Sequence, residues 1–170
     1  GELLAFPTAR GYGRHTSGGR GGAIVHVTTL DRRGAGSFFE AIRTEGPRTV
    51  VFDVSGYLET GWLTVREPGL TIAGQTAPGD GVTFRSSHLS VAESETVIRH
   101  LRLRPGSGAP DGADALNVVA GADGPMVANV VIDHCSLSWG LDENSAFQGV
   151  RNVTYQNNLN TEPLTNYAIL

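Results

Sequence analysis

Apolar residues come in short runs along this chain, and most runs stop at Gly, Asn, Asp or a charged side chain. Ala23-Ile-Val-His-Val-Thr28, Val50-Val-Phe-Asp-Val54, Leu63-Thr-Val65, Leu70-Thr-Ile72, Val82-Thr-Phe84, Leu89-Ser-Val91 and Val97-Ile98 are rich in β-branched residues and predict strands. Leu116-Asn-Val-Val119, Val130-Val-Ile132, Ala146-Phe147 and Val153-Thr-Tyr155 continue the series. One stretch differs: in Ser37-Phe-Phe-Glu40-Ala-Ile-Arg43 a Ser precedes a Glu by three residues, the reciprocal capping arrangement of a helix start. Phe38, Phe39 and Ile42 give that helix an apolar face, suited to plugging one open end of a core.

The runs also repeat. Glu95-Thr-Val-Ile-Arg-His100, Asn129-Val-Val-Ile-Asp-His134 and Asn152-Val-Thr-Tyr-Gln-Asn157 align on their apolar pairs and on a terminal His, His and Asn. His100, His134 and Asn157 are spaced by 34 and 23 residues, and Gly74 falls 26 before His100. A period of this size built from β runs, two or three to a repeat, points to a solenoid of parallel sheets. A sandwich is the competing arrangement, but the strands around Asp80-Gly81, Asp111-Gly112 and Asp123-Gly124 are not evenly paired as hairpins require.

With 170 residues, one domain is expected over 1–170, with an N-terminal cap at about 1–46 and coils at about 47–170. The 23 glycines favour tight turns over long helices. A net charge of −4 without clustered cations argues against nucleic acid as partner. No run is long and apolar enough for a membrane span, and Gly1-Glu-Leu-Leu-Ala-Phe-Pro7 lacks the features of an export signal, which is expected to have been removed from an exported protein. The glycines of Ser17-Gly-Gly-Arg-Gly-Gly22 lack the Lys and the helix of a phosphate-binding loop and predict close backbone packing at the end of a sheet. All 13 basic residues are Arg, and the single Cys135 excludes an internal disulfide. His134 and Cys135 face opposite sides of a strand, so a thiol-protease pairing is disfavoured and Cys135 is expected in the core.

Ala5-Phe-Pro-Thr-Ala-Arg-Gly-Tyr-Gly13, Gly18-Gly-Arg-Gly-Gly22, Gly46-Pro-Arg-Thr-Val-Val-Phe-Asp-Val-Ser-Gly56, Leu70-Thr-Ile-Ala-Gly-Gln-Thr-Ala-Pro-Gly-Asp-Gly81, Ala113-Asp-Ala-Leu116 and Ile132-Asp-His-Cys-Ser-Leu-Ser-Trp139 together resemble the pectate lyase family. The resemblance is nearest to its pectate trisaccharide-lyase-like branch and runs in the family's order from about Ala5 to Leu164. It implies a right-handed parallel β-helix, secretion, and calcium-assisted β-elimination of polygalacturonate. The family places acids beside its Asp-Ala pair and in the turn after Asp-His-Cys, which here gives Asp114, Asp142 and Glu143 as metal ligands. Two further family acids fall on Gly112 and Ala146, with Asp111 one position away as a substitute, so calcium is expected to bind weakly or to be dispensable. Trp139 is a candidate sugar platform and Arg104 a candidate contact to the anionic polymer.

The family's basic catalytic stretches follow the segment equivalent to Asn152–Asn158, and this sequence stops at Leu170 without them. Arg151 is therefore a candidate base without a family counterpart. Self-association through the C-terminal end of the solenoid, or a segment folding back over it, is expected to cover the last turn. Two other functions remain in view: a non-catalytic pectin-binding or structural β-helix, and a glycoside hydrolase on the same scaffold, which would lack its Gly-His-Gly motif here.

Overall fold

In a computed structural model, which describes residues 3–165 and 167–170, every strand pairing is parallel and the chain winds through three sheets in turn. The first sheet has six strands: β1 (Ala23–Val27), β2 (Arg48–Phe52), β5 (Leu70–Ala73), β8 (Thr96–Arg99), β11 (Val127–Asp133) and β14 (Val150–Gln156). The second contains β3 (Gly56–Leu58), β6 (Val82–Arg85), β9 (Arg102–Arg104), β12 (Ser136–Leu137) and β15 (Leu159–Asn160). The third contains β4 (Gly61–Val65), β7 (Ser87–Val91), β10 (Leu116–Val119), β13 (Glu143–Gln148) and β16 (Tyr167–Ile169). The parallel β-helix expected from the repeats is therefore the fold.

The ladder keeps the repeat read from the sequence. Ile72, Ile98, Ile132 and Tyr155 are register partners along the first sheet and share the spacing of Gly74, His100, His134 and Asn157. Those last three residues have φ of +56°, +54° and +54°, turning the chain sharply from the first sheet to the second. Asn tolerates this left-handed conformation well, and His more readily than most residues with a Cβ. At the same corner Gly74 lies so close to the next turn that a Cβ would sit 2.3 Å from His100 O.

Inward positions form columns: Leu58, Phe84, Leu103 and Leu137 in the second sheet, Leu63, Leu89 and Leu116 in the third. All are buried, each stabilising the fold by about 1.5–3 kcal/mol relative to exposure. At the next step the columns turn polar. Asn160 donates to Ser145 Oγ (2.8 Å) and Tyr155 Oη (3.2 Å), and its Oδ1 accepts from Asn144 (2.9 Å), which satisfies amide groups inside the coil.

The helix α1 spans Phe38–Ile42, with Ser37 Oγ accepting from the amide of Glu40 at 3.3 Å. The reciprocal half of the expected cap is replaced: the amide of Ser37 donates to Gly34 O. Phe38 packs edge-on to Phe84 (4.8 Å) and beside Phe52 (5.9 Å), filling the interior of a first turn that otherwise contributes only β1.

The glycine-rich opening departs from expectation. It packs closely, but as a strap across the outer face of the first sheet instead of at a sheet end. Its amides at Gly13, Ser17 and Gly19 donate to Thr154 Oγ1, Glu95 Oε2 and Thr71 Oγ1, in strands or corners of three different turns. A Cβ on Gly13 would lie 2.6 Å from Val130 O, and one on Gly19 2.0 Å from Arg48 O, so only glycine permits this approach. The strap buries Val97 and Val131 on a face that alternation would leave to solvent.

Candidate active site

Three carboxylates meet where the chain passes from the second sheet to the third. Asp114 precedes β10, Asp142 precedes β13, and Glu143 opens β13. One oxygen from each lies within 4.8 Å of the others. The turns bring them together because β10 and β13 are ladder neighbours. Asp114 is the anchor: its Oδ1 accepts from the amide of Glu143 at 3.0 Å and its Oδ2 from Asn117 Nδ2 at 2.9 Å. Asp114 and Glu143 are 6% and 7% exposed, so charge here is poorly solvated. Burial, then the charges of Asp142 and Asp114, raise the pKa of the Glu143 carboxyl above its ordinary value.

An all-oxygen, triply acidic cluster suits a hard divalent cation. The residues fit calcium in kind and in spacing, and they supply part of the six to eight oxygens it takes. Asp111 does not join them. It is exposed at the tip of a turn closed by Ala113 N donating to Pro110 O, with Gly112 at φ +69°. Ala146, the other position lacking a family acid, lies opposite Asn117 on β13.

Trp139, three residues before Asp142, and Arg104 are brought together. The guanidinium of Arg104 lies 5.9 Å from the Trp139 ring, and both line a groove of about 380 Å³ with Arg85 and Leu164. Trp139 Nε1 donates to Glu162 Oε2 at 3.3 Å, while Arg104 donates to Ser136 O and Oγ, both at 2.6 Å. Arg151 stands apart. It is exposed on β14 in the first sheet, beyond roughly 17 Å of β13 and the Gly149 corner from Glu143.

His88 is a neighbour that sequence reasoning missed. Its Nδ1 accepts the amide proton of Asp114 at 3.0 Å, and its ring stacks on Trp62 with centroids 4.0 Å apart. Burial lowers its pKa against the pull of Asp114, which favours the neutral imidazole that this hydrogen bond requires. The available signal was Trp62-Leu-Thr64, an aromatic alternating with a polar residue on the outward side of a strand.

A second cluster, His100, Asp133 and His134, lies at the strap side of the first sheet. Asp133 is saturated: Oδ2 pairs with Arg99 (2.7 Å) and His134 (2.9 Å), and Oδ1 accepts from Gln156 and Asn157. Those hydrogen bonds overcome burial and hold its pKa at about 2. With His100 stacked on His134 at 4.9 Å, this cluster is a structural ladder. Cys135 points inward, 2% exposed, as expected.

No family model matches the chain. Its sequence is 39% identical over 168 residues to a probable pectate lyase C of Aspergillus oryzae, covering 98% of this chain and 38% of the relative. The same coverages hold for proteins of that name from Aspergillus flavus, at 39% identity, and Emericella nidulans, at 37%. The chain thus spans about 38% of the length of these curated relatives. A crystal structure of Jun a 1, the major allergen from cedar pollen, superposes with a TM-score of 0.71 at 21% identity, covering 85% of this chain and 46% of that one. Among the described residues no helix is long and apolar enough to cross a membrane.

Proposed function

We propose that this chain belongs to the pectate lyase family and carries the acidic cleft of an enzyme that cleaves de-esterified polygalacturonate by β-elimination outside the cell. The observation that carries the reading is the meeting of Asp114, Asp142 and Glu143 at one corner of the coil, reached through the turn that carries Trp139 with Arg104 against its ring. Calcium held by those acids would bind the substrate carboxylate and make the adjacent C5 proton easier to remove. Asp114, fixed by two hydrogen bonds, sets the position of the cluster, and Glu143 is tied to it through its own amide. Trp139 offers an apolar ring face to a sugar and Arg104 a cation to its carboxylate. The substrate's carboxylates would complete the oxygen shell of a bound cation, so that affinity for the metal and for the polymer would rise together.

The proton acceptor is not assigned to Arg151, which is a strand-length away from the acids. An arginine base, whose guanidinium is only rarely neutral near pH 7, would give activity that climbs into alkali. The test is incubation with polygalacturonate at neutral and alkaline pH, with calcium or a chelator, following ultraviolet absorbance of the unsaturated uronate. A calcium-dependent rise supports elimination. Reducing ends formed without that absorbance would indicate hydrolysis, and polymer binding without cleavage would leave a non-catalytic pectin-binding β-helix.

A further inference from the structure

The outward row of the third sheet continues past the acids toward the N-terminal helix. His88 holds the amide of Asp114 and pairs in register with Trp62 on β4, one strand further on. Trp62 lies 13° from parallel with the His88 ring, yet is 53% exposed. Since stacking covers one face, that exposure leaves much of the indole to solvent.

Trp62 also lines a groove of about 660 Å³ between β4 and α1. Its other walls include Arg33, Arg43 and Arg66, with Phe39 and a single acid, Glu40. Arg33 and Arg43 rest on the Phe39 ring, their guanidinium carbons 4.2 and 5.1 Å from its centroid, which restrains two otherwise flexible cations. Among the described residues, none of these three arginines forms an ion pair. A chain with net charge −4 thus gathers three cations against one acid around one exposed aromatic ring.

An apolar ring face beside unpaired guanidinium groups recognises a flat, partly apolar ring bearing a carboxylate. Acidic pyranose units have that character: their axial C–H faces pack on indole, and their carboxylates accept the paired N–H groups of arginine. Trp62 is about two strand spacings, roughly 9–10 Å, from the position of Asp114. A short run of uronate units laid across the strands bridges that distance.

We infer that Trp62, with Arg33, Arg43 and Arg66, forms a distal subsite for an acidic sugar unit, so that an oligouronide lies along the third sheet from the acidic cluster to the N-terminal helix. This rests on the acidic cleft being the polymer site. The subsite selects for substrate length and for free carboxylates at a distance from the reacting bond.

The test is calorimetric titration of the chain, with calcium present, using oligogalacturonates of increasing length. In the wild type, affinity rises when the oligomer becomes long enough to reach Trp62. Trp62→Ala and the triple variant Arg33→Gln, Arg43→Gln, Arg66→Gln should each remove that step, weakening the long oligomer about fivefold to tenfold and leaving the shortest unchanged. Trp62→Phe, which keeps a stacking ring, should restore most of it. Asp114→Asn should weaken every length. Unchanged binding of long oligomers by both distal variants, alongside weaker binding by Asp114→Asn, overturns the subsite and leaves the cleft standing. No binding of any oligomer by the wild type overturns both.

Discussion

The amide of Glu143 donates to Oδ1 of Asp114 at 3.0 Å, joining two candidate metal ligands on adjacent turns. The same carboxylate that orders the site also satisfies a buried N–H, so its two roles are separable by substitution. Asp114→Ala strands that donor and should cost about 1–3 kcal/mol of stability. Asp114→Asn can keep an oxygen toward Glu143 and should cost less, while lowering calcium affinity about tenfold or more. Urea unfolding and calcium titration measure the two effects. Wild-type calcium affinity in Asp114→Asn would remove this residue from the site.

Calcium held as proposed would compete with protons at Glu143. Its folded-state pKa is raised, so the native state holds this proton more tightly than the unfolded chain does. The corresponding stability is present when the carboxyl is protonated and falls as pH rises through the carboxylate range toward the raised value. A bound cation would offset both the burial and the repulsion that raise it. The rise in Tm on adding calcium should therefore be larger at pH 7 than at pH 4, by scanning calorimetry at both. Equal shifts would contradict cation binding by these carboxylates.

Asp133 has the opposite sign. Its pKa is lowered from 3.8 to about 2, so the stability it contributes is full above its unfolded value and is lost as pH falls toward 2. That shift corresponds to on the order of 2 kcal/mol. Asp133→Asn should be less stable at pH 7 and lose less further stability between pH 4 and pH 2. Parallel stability curves for the two proteins over that range would refute the assignment.

Cys135 should be inert in the native protein. Burial pushes its thiol up to about 12, against weaker opposing hydrogen bonds. A thiol reagent at pH 8 should label it only as fast as the chain opens, and labelling should become rapid in denaturant. Immediate native-state reaction would place the thiol at the surface.

Gly19→Ala tests the strap. Its methyl group would fall 2.0 Å from Arg48 O, so about 1–3 kcal/mol or more should be lost in thermal or urea unfolding. Gly121→Ala, whose nearest contact would be at 4.0 Å, should stay within about 0.5 kcal/mol. Equal stability of the two variants would mean that the strap is not closely seated.

The repeat was legible because the left-handed corner restricts residue choice, leaving His100, His134 and Asn157 as markers of register. Ser37 and Glu40 similarly announced α1. The two-residue strands Ser136–Leu137 and Leu159–Asn160 were not legible, since such segments have no measurable period and acquire strand geometry from their ladder neighbours. Asp114, Asp142 and Glu143 were found through family pattern, and the structure brings them together. Trp62 and His88 escaped notice because their contact joins different turns, 26 residues apart. The strap was misplaced for a related reason: glycine spacing signals close approach without naming the surface approached.

The strap also acts as a ruler. Solenoids held only by neighbouring repeats can gain or lose a turn with local consequences, whereas Arg10 here bonds to Gln156 and Gly19 to Thr71 along one continuous segment. Its length is matched to the number of turns beneath it, and its contacts couple chain segments made far apart in synthesis. An added turn would slide every contact out of step. Variation in turn length is consequently channelled to the loops away from the strap, such as the long connection between β9 and β10 that carries Asp114. The face that must stay constant and the face free to diversify lie on opposite sides of the same coil.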